Sequence, residues 1–150
     1  MLRQAQPGGR APQTLLLGVG ADPRQAALAR AEGADLIDVR AATPEALAAI
    51  RASLPADVLW TDPRTDPLCA DPLSAGLLDA DQLAAAGAAR RGGAAGRVTP
   101  AAVIATAAVC SWLGAPVIRS RHTRAVRRAI DMTASIAGRR PPSRTVRGLA

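Results

Sequence analysis

Arg119-Ser-Arg121-His122 is the densest group of chemistry-bearing side chains in the sequence. Two guanidiniums and the chain's one imidazole fall after a short apolar run and directly before a helix start. Guanidiniums fork onto oxyanions, and the unpaired N–H groups of a helix N-terminus add partial positive charge. The combination suits a phosphate or another small oxyanion. A plainer reading of the same residues is a solvated loop with His122 on its surface. Two carboxylates hold comparable places: Asp38 near the end of the run 35–40, and Asp62 just after the run 55–61. A carboxylate there can hold an amino-bearing heterocycle through two hydrogen bonds, or act as a base. The plainer readings are an Asp-Pro turn at Asp62 and pairing of Asp38 with Arg40 or a nearby cap.

Other chemistries are excluded by what is missing. All 19 basic residues are Arg, so there is no Lys for a Schiff base or a Walker loop. Cys69, Cys110 and a single His do not make a zinc cluster, and no metal site is expected. No Ser/His/Asp arrangement follows from spacing. Cys110 falls within an apolar helix and reads as inert packing, while Cys69 falls in a loop.

The elements that must position these residues follow a repeated rhythm. The run Thr14–Val19 is a short, continuously apolar strand of the kind buried on both faces. Asp22-Pro23 starts a helix that Gly33 stops. Residues 35–40 form a second strand, Thr43-Pro44 starts a second helix ending near Ser53, and residues 55–61 form a third strand. Thr99-Pro100 starts a helix over 101–113, apolar on nearly all sides and so expected to be buried, which Gly114 ends. Residues 116–119 make a fourth strand, and Thr123 caps a last helix running to Ala137, with Val126, Ile130 and Thr133 on one face. Alternating strands and helices predict a parallel sheet with helices packed on it. Ligands then bind at the carboxyl ends of the strands, where Asp38, Asp62, Arg119, Arg121 and His122 all fall.

The chain divides into a loose leader at 1–13, one α/β domain at 14–137, and a basic, Pro-rich tail at 138–150. Within the domain, residues 62–97 break the rhythm and read as a poorly ordered insert, with Leu77–Ala89 as a weak helix. The net charge of +7 is uneven. Residues 1–118 carry 10 Arg against 11 carboxylates, whereas residues 119–150 carry 9 Arg against Asp131 alone. A basic nucleic-acid-associated or regulatory module using 119–150 is therefore one functional alternative. Against it, no aromatic ring lies near the arginines for base stacking, so nucleic acid is not the expected partner. No stretch reaches the roughly 18 apolar residues of a membrane span, and the leader lacks the apolar run of a signal peptide. Two thiols fit a reducing compartment, and a cytoplasmic location is expected. Ala makes up about a quarter of the chain, with no Phe or Tyr, so the core is built of small side chains.

Several of these segments resemble the dihydropteroate synthases. Glu32-Gly-Ala-Asp-Leu-Ile-Asp-Val39 is similar to that family's second strand, and Leu15-Leu-Leu-Gly-Val19 to its first. Asp57-Val-Leu-Trp-Thr-Asp62 is similar to the third, which ends in an Asp that grips the pterin ring. Residues 102–122 resemble its last helix and eighth strand, after which an Arg-x-His pair binds the pterin's phosphate oxygens. The resemblance implies binding roles for Asp38, Asp62, Arg119 and His122. The departures are equally specific. The family's Asn loop after strand one is here Gly20-Ala-Asp-Pro23. Its Ser-Thr-Arg loop is reduced to Arg40-Ala-Ala-Thr-Pro44. The Arg-x-His pair is one residue longer. Strands four to seven have no counterpart, nor has the family's Lys.

In an eight-stranded barrel the eighth strand neighbours the first. Removing strands four to seven leaves a contiguous arc, a partial TIM-barrel-like sheet of about four parallel strands in the order 3-2-1-4. Such an arc cannot close, so two edges and part of its inner face are expected to be exposed. The resemblance implies a degenerate, non-catalytic dihydropteroate synthase-like protein, of folate-pathway type, with a remnant oxyanion site at Arg119, Arg121 and His122. The expected ligand is a pterin phosphate or other small anion, and the expected partner a second copy or a barrel-type protein. No cofactor is expected, with Mg²⁺ entering only if the parent transferase activity survives. The enzymatic alternative is a transferase completed by dimerisation or a partner.

Overall fold

A computed structural model describes residues 14–60, 77–90 and 98–140. The expected rhythm is present from its first residues: β1 (Leu15–Val19), α1 (Pro23–Ala31), β2 (Leu36–Asp38) and α2 (Pro44–Ser53). A 3-10 turn at Ala56–Val58 then leads into a two-residue β3 (Leu59–Trp60). The second half comprises β4 (Leu77–Asp79), α3 (Ala80–Arg90), α4 (Pro100–Trp112), β5 (Val117–Ser120) and α5 (Thr123–Ile136).

Local chemistry sets the helix ends. Asp22, Thr43 and Thr99 each accept an N–H from three residues ahead, with Pro at the next position. The far ends of α1, α4 and α5 close with glycines at positive φ, at Gly33, Gly114 and Gly138. At each one the glycine N–H and the N–H after it turn back onto carbonyls of the last helical turn.

The strands form one parallel sheet in the order β3-β2-β1-β5-β4. The expected 3-2-1-4 order is present in its first four members, and a fifth strand lies beyond them. Leu77–Asp79, expected as the start of a weak helix, pairs instead with Val117–Arg119, and the helix begins at Ala80. In a closed eight-stranded barrel this place beside the last strand belongs to the seventh. The steps β1→β2, β2→β3 and β4→β5 move the same way across the sheet, which puts the helices that join them on one face when crossovers are right-handed.

Side-chain alternation bears this out. Leu16, Ile37 and Ile118 point to the helical face and are fully buried. Leu16 and Ile118 meet Ala84 of α3, Val103 and Ala107 of α4, and Val126 and Ile130 of α5. Ile37 meets Ala26 and Ala29 of α1 and Ile50 of α2. The other face carries Leu17 and Val117, buried, with Leu15, Leu36 and Leu77 around them. An exposed inner face is therefore not found at its centre.

Small residues allow close approach. A Cβ on Gly20 would lie 2.5 Å from Ile37 Cγ2 and 3.0 Å from Ala26 Cα, so the backbone just after β1 sits directly against α1. The expectation that α4 is buried throughout is corrected. It packs on α3, α5 and β5, which leaves Val109, Trp112 and Leu113 58%, 57% and 78% exposed. The first residue of α5 also differs: Thr123 is inside the helix and buried, and His122 holds the cap position.

Candidate strand-end site

The carboxyl ends of β2, β4 and β5 bring Asp38, Asp79 and Arg119 onto the same face of the sheet. Residue alternation requires this, because Asp79 and Arg119 are register partners and both Arg119 and Leu36 are partners of Leu17. Arg119 donates from Nε to Asp38 Oδ2 and from NH1 to Asp79 Oδ2, both at 2.6 Å. Asp38, only 3% exposed, also receives Arg40 through Nε at 2.9 Å, NH2 at 2.9 Å and the backbone N–H at 3.1 Å. Asp79 turns its second oxygen to the N–H of Gln82 at 3.0 Å and so caps α3.

Burial alone would push the Asp38 carboxyl upward. The Arg40 and Arg119 guanidiniums and the Arg40 N–H outweigh it and hold Asp38 below its ordinary value. Arg119 behaves reciprocally. Desolvation would lower it, but hydrogen bonds to Asp38 and Asp79 raise it. The result is a ladder of ion pairs, Arg40–Asp38–Arg119–Asp79, laid across the mouth of the sheet.

Beside the ladder lies a cavity of about 510 Å³, lined by Asp79, Asp81, Gln82, Arg119, Arg121 and His122 among others. Arg119, Arg121 and His122 are thus brought together as expected. Their environment differs from the one expected, because carboxylates face them. Asp81 accepts the Arg121 N–H at 2.9 Å and stands 3.9 Å from His122 Nε2. Among the described residues no side-chain cap closes the start of α5. The other four helices have an Asp or Thr oxygen on an early N–H, whereas His122 makes no side-chain cap on α5.

Asp62 lies outside the described residues. Asp38 takes the plainer of its two sequence readings, pairing with Arg40, and adds Arg119 from 81 positions away. Asp79 and Asp81 were missed by sequence reasoning. The available signal was the likeness of Leu77-Leu-Asp79 to Leu36-Ile-Asp38, two apolar pairs each ending in Asp at a strand end. The residues do not suit Mg²⁺. Asp38 and Asp79 direct oxygens to guanidiniums, and among the described residues no group of three or more His, Cys, Asp or Glu side chains could hold a metal.

No family model matches the chain, and no solved structure does. Proteins named inactive dihydropteroate synthase 2, from Mycobacterium bovis and two strains of Mycobacterium tuberculosis, are 49% identical to it over 47 residues. Over that stretch the chain is dihydropteroate synthase-like. The stretch is 31% of this chain and 15% of each relative, so the likeness is to a small part of a longer protein. Among the described residues no helix is long and apolar enough to cross a membrane.

Proposed function

We propose that this chain is a degenerate dihydropteroate synthase-like protein, non-catalytic, with a weak remnant site for a pterin phosphate or other small anion. The observation that carries this reading is the double engagement of Arg119. With Arg119 held by two carboxylates at 2.6 Å and Arg40 on one of them, the ladder as a whole has no net formal charge to offer a diphosphate. A ligand would have to displace Asp38 or Asp79, leaving a desolvated carboxylate without its partner. The remaining places for an oxyanion are Arg121, His122 and the uncapped first turn of α5. Rates of group transfer between two bound reactants depend heavily on their positioning. Here the strand end that would position a diphosphate is occupied by the protein's own ion pairs.

Calorimetry with a pterin diphosphate, together with a turnover assay containing p-aminobenzoate and Mg²⁺, tests the proposal. The expected result is no product, and weak binding that Arg121→Ala reduces further. Product formation by the chain alone would overturn the non-catalytic reading and favour a transferase completed by self-association. Binding that is indifferent to Arg121 and His122 would remove the remnant site.

Self-association has its own support. Val109, Trp112 and Leu113 at the end of α4, and Met132 and Ile136 in the second half of α5, are exposed on two helices that pack side by side. Apolar side chains grouped in this way favour burial against another surface. A second copy is the partner we propose.

A further inference from the structure

At the opposite end of the sheet from the ion-pair ladder, α4 and α5 enclose a cavity of about 270 Å³ lined by Thr14, Ser111, Arg127, Asp131, Arg139 and Arg140 among others. Its position follows from the end of α5. Gly138 adopts φ of 69°, and the Arg139 N–H folds back onto the Ala134 carbonyl. The Arg139 side chain reaches α4, donating from NH2 to the Ser111 carbonyl at 2.7 Å.

Charge in this cavity is unbalanced. Asp131 holds Arg140 at 2.7 Å and Arg127 at 3.7 Å, and Asp35 holds Arg127 at 2.8 Å from outside the lining. Among the described residues, three guanidiniums therefore share two carboxylates. The Nε atoms of Arg127 and Arg139 are both buried and both lack a hydrogen-bond partner. Buried donors on charged groups are costly when unmet, and both of these belong to arginines that line this cavity. Two hydroxyls complete the set: Thr14 Oγ1 and Ser111 Oγ lie 3.5 Å apart on buried residues, and each can donate.

We infer that this cavity binds a tetrahedral oxyanion of the phosphate type, as the free ion or as the phosphoryl head of a small molecule. The guanidiniums of Arg127, Arg139 and Arg140 supply the charge, and Thr14 and Ser111 supply neutral donors. The volume suits a group of that size and no large ligand. Two helix carboxyl ends lie nearby and oppose an anion, which limits the affinity to roughly the millimolar to hundred-micromolar range.

The test is thermal unfolding and calorimetry of the full chain with inorganic phosphate, glycerol 3-phosphate, or sodium chloride at matched ionic strength. Phosphate is expected to raise the melting temperature beyond the chloride control. The phosphate affinity should fall about tenfold or more in Arg139→Gln, as loss of a charged hydrogen-bonding partner predicts. Because Arg139→Gln also removes the contact to α4, the quantity read is the phosphate-dependent increment. Thr14→Val, which keeps every arginine, should diminish that increment too. Arg51→Gln, on the exposed side of α2 and outside both cavities, should leave it unchanged. Binding of glycerol 3-phosphate alongside phosphate assigns the site to a phosphoryl head, and binding of phosphate alone assigns it to the free ion. Equal increments in the unaltered chain, Arg139→Gln and Thr14→Val would overturn the inference, as would an equal response to chloride. A loss confined to Arg121→Gln, in the strand-end cleft, would place the anion there and overturn it as well.

Discussion

Arg119 reaches across β1 to Asp38 on β2, and the two charged groups, 81 residues apart in the chain, meet at 2.6 Å. A second of its nitrogens, NH1, meets Asp79 on β4 at the same distance. One side chain thus links three strands at the end of the sheet where a ligand would enter. The geometry is that of a fastener, and it makes the mouth of the sheet a place of internal cohesion.

Removal of this side chain should be costly. Arg119→Ala leaves the buried Asp38 with Arg40 alone and leaves Asp79 without its guanidinium. Breaking a buried pair costs about 3–5 kcal/mol, and the partial exposure of Arg119 argues for the lower part of that range. Replacing Asp38 by Asn in the same chain should recover part of the loss. Urea unfolding of the single and double variants measures the coupling. Additive effects would show that the pair is energetically idle.

Acid should loosen the same fastener. The folded state holds Asp38 below its ordinary value of 3.8, so the unfolded chain binds a proton more readily than the native one. The contribution of Asp38 to stability is therefore fully present above that value, and it is lost as pH falls through the lower folded value. Melting temperatures between pH 6 and pH 2.5 should drop with acidification, and Asp38→Asn should flatten part of the drop. An Asp38→Asn variant as acid-sensitive as the parent would contradict this.

Gly20 should tolerate no side chain. A Cβ there meets Ile37 at 2.5 Å and Ala26 at 3.0 Å, so Gly20→Ala forces α1 away from the sheet. Overpacking of this kind costs roughly 1–3 kcal/mol. Gly138→Ala makes a useful contrast. Its Cβ would meet nothing within 4 Å, so the cost, about 1 kcal/mol, comes from positive φ alone. Chemical denaturation of the two variants separates crowding from backbone strain.

Self-association should depend on the exposed ends of α4 and α5. Size-exclusion chromatography with light scattering is expected to show a dimer, and Trp112→Asp or Ile136→Asp should shift it towards monomer with little change in helix content. A monomeric parent chain at tens of micromolar would contradict the proposal.

Much of the fold was legible because it rests on local signals. Asp-Pro and Thr-Pro pairs mark the starts of α1, α2 and α4, and Gly33, Gly114 and Gly138 mark ends. The sheet order followed from the resemblance to a barrel. β4 was not legible, because a three-residue strand in a turn-rich region gains its identity only by pairing with β5. The site was half legible for a related reason. Residue types located Arg119, Arg121 and His122 at a strand end, but the charge they meet comes from Asp38, Asp79 and Asp81 on other elements. Arg127 is held by Asp35, 92 residues away, whose carboxylate also accepts the Leu16 N–H. Long-range pairings of this sort have no periodicity to betray them.

The central position of β1 bears on how the chain can assemble. Leu15 pairs with Val117, so one edge of β1 stays open until a strand about a hundred residues further along the chain arrives. Until then, β1, β2 and the two helices between and after them can form only a fragment with one raw, Leu-rich border. Non-local closure of this kind is slow and exposes nascent chains to wrong partners. The arrival of β5 is therefore the step that closes this border.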